Sequence, residues 1–209
     1  MNYGLISTII ILFLFILIFF LYQRKDISVK EISLVATLSA LAGASRVPFA
    51  ALANLQPTTF LVIISGYVFG PIFGFMVGAF SALISNSFLG HGPWTPWQMM
   101  AWGLAGLTAG ILGKFMKKPS RLKLALFAFV WGFLFDYIMK LWHWLFLVYP
   151  LSLRSFLAMI TTSFYFDLTH SIGNFGFTYI LGKDFVNVLI RFKDRISYTQ
   201  ITTEGNNKF

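Results

Sequence analysis

Two late stretches of this chain hold ionisable groups inside apolar surroundings. Asp136, Lys140 and His143 fall at i, i+4 and i+7, and Asp167, His170, Ser171 and Asn174 follow a similar spacing. At helical period each set shares one face. Charged groups within membrane spans are costly, so they face a partner or a wet cavity. Asp136 and Lys140 could form an ion pair one helical turn apart. Alternatively, both faces line one outward-open cavity. A Ser–His–Asp arrangement can be written from these letters, but no nucleophile elbow surrounds any serine and HExxH is absent. The three histidines lie far apart, and Asp167 with His170 offers at most half a zinc site. No P-loop is present, so the chain does not itself hydrolyse ATP in the usual way. No catalytic residue, metal site or cofactor is expected.

A second concentration of polar chemistry lies in Ser87-Phe88-Leu89-Gly90-His91-Gly92-Pro93-Trp94-Thr95-Pro96-Trp97-Gln98, followed by Trp102. Paired glycines and prolines give this loop a restricted backbone. Trp94, Trp97 and Trp102 supply broad rigid surfaces, while Asn86, His91, Thr95 and Gln98 supply hydrogen-bonding groups. An interfacial aromatic belt would explain the tryptophans. It would not ask for Gly-His-Gly-Pro, nor for Asn and Gln within a turn or two. The loop from Arg46-Val47-Pro48 to Gln56-Pro57 adds Arg46, Asn54 and Gln56. Arg46 could snorkel to lipid head groups, or face a polar cavity and meet an anionic or carbonyl-rich ligand.

The elements that position these residues follow from composition. The chain is 57% hydrophobic and only 11% charged. A soluble domain carries about twice that charged fraction. The apolar residues fall in long blocks, without the alternation of a β-barrel. The expectation is an all-α polytopic membrane bundle. Its spans are Tyr3–Tyr22, Glu31–Val47, Thr58–Phe69, Ile72–Leu89, Trp97–Phe115, Leu124–Val148 and Phe156–Leu181. The first has no basic residue before Arg24 and no small-residue cleavage site after it, which favours an uncleaved helix over a signal peptide. Residues 1–29 thus form an extra helix with a basic linker, 30–183 a six-helix core and 184–209 a tail.

Orientation follows from Lys and Arg. Arg24, Lys25, Lys30, Lys114, Lys117, Lys118, Arg121, Lys123, Lys183, Arg191, Lys193, Arg195 and Lys208 all become cytoplasmic if the N-terminus is outside and the chain crosses seven times. Only Arg46, Lys140 and Arg154 remain. The net charge of +9 is then a topology signal and an attraction to anionic lipid, not a nucleic-acid face. With no cysteine, disulfides and thiolate sites are excluded.

Small residues recur within the spans. Ala36, Ala40 and Ala44 share one side of the second, where another helix could approach, from this chain or from a partner. Gly70, Gly74 and Gly78, and then Gly103, Gly106 and Gly110, suit internal packing.

Residues from about 30 to 183 resemble the substrate-binding S component of energy-coupling factor (ECF) transporters. The likeness rests on the Ala36-xxx-Ala40 pair, the run Gly66-Tyr67-Val68-Phe69-Gly70-Pro71-Ile72-Phe73-Gly74, the Gly90–Gln98 loop and six core helices. The resemblance implies a non-catalytic binding subunit in a bacterial cell membrane. Its partners would be a transmembrane coupling protein and two ATPase subunits, and its substrate a vitamin-like small molecule taken from outside. It also implies that Ala36, Ala40 and Ala44 form the docking face, that outer loops and late helices build the pocket, and that the body topples in the membrane to release its ligand. The first helix is extra to that pattern, and Met1-Asn2 departs from the Met-His start of nickel and cobalt carriers. The tryptophan loop looks most like members associated with cobalamin or other corrinoids. An integral-membrane enzyme and a stand-alone transporter are the alternatives.

Overall fold

The computed structural model describes residues 3–23, 28–116 and 120–206. Arg24, Lys25, Lys117, Lys118 and Lys208, which entered the charge map, lie outside them. The described residues form eight α-helices and no strand: α1 Tyr3–Gln23, α2 Val29–Arg46, α3 Thr58–Phe69, α4 Pro71–Leu89, α5 Thr95–Phe115, α6 Arg121–Leu147, α7 Leu153–Thr162 and α8 Phe164–Asn206.

Local chemistry sets the boundaries. Ser28 caps α2 by accepting from the Glu31 amide at 3.2 Å. A short 3₁₀ turn, Val47–Phe49, follows where Pro48 cannot continue the α-helix. α3 and α4 meet at Gly70, whose φ of +107° only glycine adopts without strain. Among the described residues four helices are long and apolar enough to cross a membrane: Tyr3–Leu21, Val29–Phe49, Pro71–Leu89 and Arg121–Leu147, with Thr58–Phe69 a shorter apolar helix.

The seventh expected span differs in both its ends. Residues 156–181 do not form one helix, because the chain breaks at Ser163 between α7 and α8. Hydroxyls of Thr161, Thr162 and Ser163 turn back onto the carbonyls of Leu157 and Met159, competing with the helix ladder. Nor does Gly182 end the helix. It is buried, and Val186 and Leu189 continue the buried face, so α8 runs on through much of the expected tail.

α3 lies at the centre, buried from Thr58 to Val68, with α4 and α5 against it. A Cβ on Gly66 or Gly74 would strike the Gly106 backbone, and one on Gly78 the Trp102 backbone. The glycine series thus brings these helices into backbone contact. α6 and α8 close the other side, and α1 lies across α5 and α6. On α2 the buried residues are Val35, Leu38, Ser39, Ala42 and Gly43, leaving Ala36, Ala40 and Ala44 exposed. Ala36 borders an apolar groove of about 450 Å³ with Phe19, Met76 and Phe80.

Candidate functional site

At the bundle end where α2 stops and α3 and α5 begin, side chains from six helices and a loop join in one hydrogen-bonded network. Arg46 closes α2, and its Nε donates to Gln56 Oε1 at 2.7 Å. Its Nη1 donates to Ser85 Oγ at 3.2 Å and Asn86 Oδ1 at 3.1 Å, both on α4. Asn86 passes its amide protons on to Thr95 Oγ1 (3.1 Å) and Gln98 Oε1 (2.8 Å), in the first turn of α5. In the other direction Gln56 Nε2 meets Asn54 Oδ1 at 3.4 Å, and Asn54 Nδ2 donates to both oxygens of Asp136 at 3.0 and 3.1 Å.

Asp136 also faces His170 Nδ1 at 3.2 Å, and His170 Nε2 lies 3.1 Å from Thr59 Oγ1. Trp102 Nε1 donates to that hydroxyl at 3.0 Å. With Thr59 donating onward to Nε2, the neutral Nδ1–H tautomer of His170 satisfies every partner. The Arg46 guanidinium lies over the Trp102 ring at 5.3 Å, which fixes it further.

Lys140 does not pair with Asp136 one turn away. Its ammonium crosses to α8 and meets both oxygens of Asp167 at 2.5 and 2.6 Å, nearly shielded from solvent. Burying a charge pair costs desolvation, and only such close, two-pronged geometry offsets it. Among the described residues no group of three His, Cys, Asp or Glu could hold a metal ion.

Two cavities open beside this network. One of about 330 Å³ is lined by Asp136, Lys140, His143, Trp142, Asp167 and Phe166. The other, of about 460 Å³, is lined by Arg46, Asn54, Gln56, Leu55, Leu89 and Phe166. Phe166 stands in the wall of both. Cavities of this size hold a drug-sized organic molecule, with a few polar groups fixing its orientation.

The structure therefore joins Arg46, Asn54, Gln56, Asn86, Thr95, Gln98, Trp102, Asp136 and His170 in one network, with Lys140, Asp167 and His143 on the adjoining cavity wall. Three expected residues stand elsewhere. His91 is exposed, its ring 3.4 Å from Ser87 Oγ. Trp97 is buried toward α1, its indole donating to Thr8 at 3.3 Å. Trp94 sets its ring edge-on to Trp142 at 5.7 Å. Asn174 lies one turn beyond His170, fully buried, with neither amide atom partnered. Thr59, Ser85 and Phe166 were not expected. The hydroxyl of Thr59 at the mouth of an apolar span was a readable signal, whereas nothing in sequence marks Phe166.

The family model described as "ECF-type riboflavin transporter, S component" matches residues 26–190. A UPF0397 protein of Vibrio atlanticus (strain LGP32) is 30% identical over 91 residues, 41% of this chain and 50% of that protein. A UPF0397 protein of Streptococcus pneumoniae (strain ATCC BAA-255 / R6) is 40% identical over 50 residues, 24% of this chain and 27% of that one. Another from Aliivibrio salmonicida (strain LFI1238) is 26% identical over 107 residues, 49% and 57% of the two chains. The chain thus spans between about a quarter and somewhat over half the length of these relatives. No solved structure matches it.

Proposed function

The chain belongs to the family of ECF-type riboflavin transporter S components, and on that premise we propose that it is the substrate-specificity subunit of an ATP-driven importer. The observation that carries this reading is the polar network with two open cavities, set at one end of an otherwise apolar bundle. The ligand enters there from the outer face, which the positive-inside distribution assigns to the end bearing Arg46 and Thr95. Helices α2 to α8 hold the site, and α1 braces it through Thr8 on Trp97.

The family description favours a flavin-class ligand, a planar heterocycle with hydrogen-bonding edges. Cavities of about 330 and 460 Å³ suit that size. A corrinoid is several times larger, and neither the family description nor the cavity volumes favour it. The exposed alanine face of α2 meets the coupling protein by close backbone approach. The ATPase subunits that drive the cycle act through that contact.

Riboflavin binding to the purified protein, read by quenching of flavin fluorescence, tests the ligand. Saturable quenching is the expected result, and its absence in protein that unfolds cooperatively removes the flavin assignment. Co-purification with a coupling protein and ATPases tests the assembly. Ala36→Trp with Ala40→Trp should abolish the complex while leaving flavin binding intact. A complex that survives both tryptophans excludes α2 as the docking face.

A further inference from the structure

We propose that the ligand of this site carries an anionic group and that Arg46 receives it, an inference that rests on the binding-subunit reading above. The lysine and the arginine of the cluster are not in equivalent positions. Lys140 has the carboxylate of Asp167 at 2.5 Å. Arg46 has no carboxylate within ion-pair distance among the described residues; its partners Gln56, Ser85 and Asn86 are all neutral. Asp136 is reached from it only through the side chains of Gln56 and Asn54.

Those neutral partners engage Nε and Nη1, and no hydrogen bond is made by Nη2 among the described residues. The guanidinium is therefore oriented without being neutralised, with donor capacity to spare. Its place is the wall of the cavity of about 460 Å³, where the loop bearing Asn54 and Gln56 also presents polar atoms. A planar cation held on one side and free on the other suits a carboxylate or phosphate. The phosphate of a lipid head group offers the same chemistry. Three bonds hold Arg46 onto α4 and Gln56, rather than extended along the helix surface as a snorkelling side chain would be. The anion is thus assigned to the transported ligand.

The test compares riboflavin with riboflavin 5′-phosphate on the protein in phosphatidylcholine nanodiscs, by flavin fluorescence. The ester should bind about tenfold tighter or more, as one charge-assisted contact allows. Arg46→Gln should remove that preference, leaving the ester no tighter than riboflavin, and Arg46→Lys should restore part of it. Riboflavin binding as tightly as its ester to the unmodified protein overturns the inference and spares the flavin reading. Binding of neither flavin to folded protein overturns both. The ligand comparison on unmodified protein decides the matter even where Arg46→Gln does not fold. Loss of the ester's preference in phosphatidylglycerol nanodiscs would mean that a head group fills the position, and would overturn the assignment to the ligand.

Discussion

The α4–α5 seam and the α6–α8 seam are the two most extensive helix contacts in the molecule, and they are built on opposite principles. Along the first, Gly74 lies against Gly106, Gly78 against the Trp102 carbonyl and Gly110 against Pro71, backbone on backbone. Dispersion holds this glycine-lined stretch, and polar pairing is confined to the end where Asn86 donates to Thr95 and Gln98. Along the second, Lys140 meets Asp167 and His170 meets Asp136, while Ser171, Asn174 and Thr178 hold buried polar atoms with no hydrogen-bond partner among the described residues. A seam fitted at backbone distance has one arrangement. A seam held by polar pairs with unspent hydrogen-bonding capacity can exchange partners at modest cost. The cavity of about 330 Å³ is lined by both helices of the second seam, and Phe166 of α8 also stands in the wall of the other.

Breaking the first seam should have the largest effect. Gly106→Leu places a side chain on the Gly74 backbone, which cannot move aside cheaply. The expected cost exceeds about 4 kcal/mol, with little folded protein recovered from detergent. Gly176 is the internal control: a Cβ there meets nothing within 4 Å, so Gly176→Ala should change the unfolding temperature by a degree or two at most. Equal tolerance at the two glycines, measured by thermal unfolding, would dissolve the contrast.

The second seam should respond less, and reversibly. Lys140→Met strands the Asp167 carboxylate in a nearly shielded position, at an expected cost of about 3–5 kcal/mol. Lys140→Met with Asp167→Leu removes both charges and should recover most of that loss. Were the double variant as unstable as the single one, packing rather than the charge pair would be holding α6 to α8.

This contrast also explains what the sequence made legible. Helical period alone placed Asp136 with Lys140 and Asp167 with His170, because residues on one helix share a face by geometry. It could not say that Lys140 would choose Asp167 over Asp136, since that depends on how α6 and α8 are set against each other. Apart from Gly70, which meets nothing within 4 Å, the glycine series read correctly as internal packing, because only close approach explains so many small residues in register. Trp97 was misplaced for the opposite reason. A tryptophan in a polar loop suits a pocket wall or a helix contact equally, and only the position of α1 decides that its indole meets Thr8. The break at Ser163 was hidden because the surrounding residues are apolar enough to continue a span.

The smallest effect separates a used polar group from an unused one within the second seam. Asn174 is fully buried and neither of its amide atoms has a partner, so its desolvation is uncompensated. Asn174→Leu removes that penalty with little change of shape and should leave stability unchanged or raise it by about 1 kcal/mol. Gln56→Leu, in the satisfied network, should instead cost about 1–3 kcal/mol, because Arg46 then loses its bond to Oε1. Thermal unfolding of the two variants side by side reads the difference as opposite signs. A fall in unfolding temperature for Asn174→Leu would mean that a buried water holds the amide, and the seam would then be a filled one. A rise, together with weakened flavin binding, would show that the amide is held unpaired for a ligand that reaches one turn beyond His170.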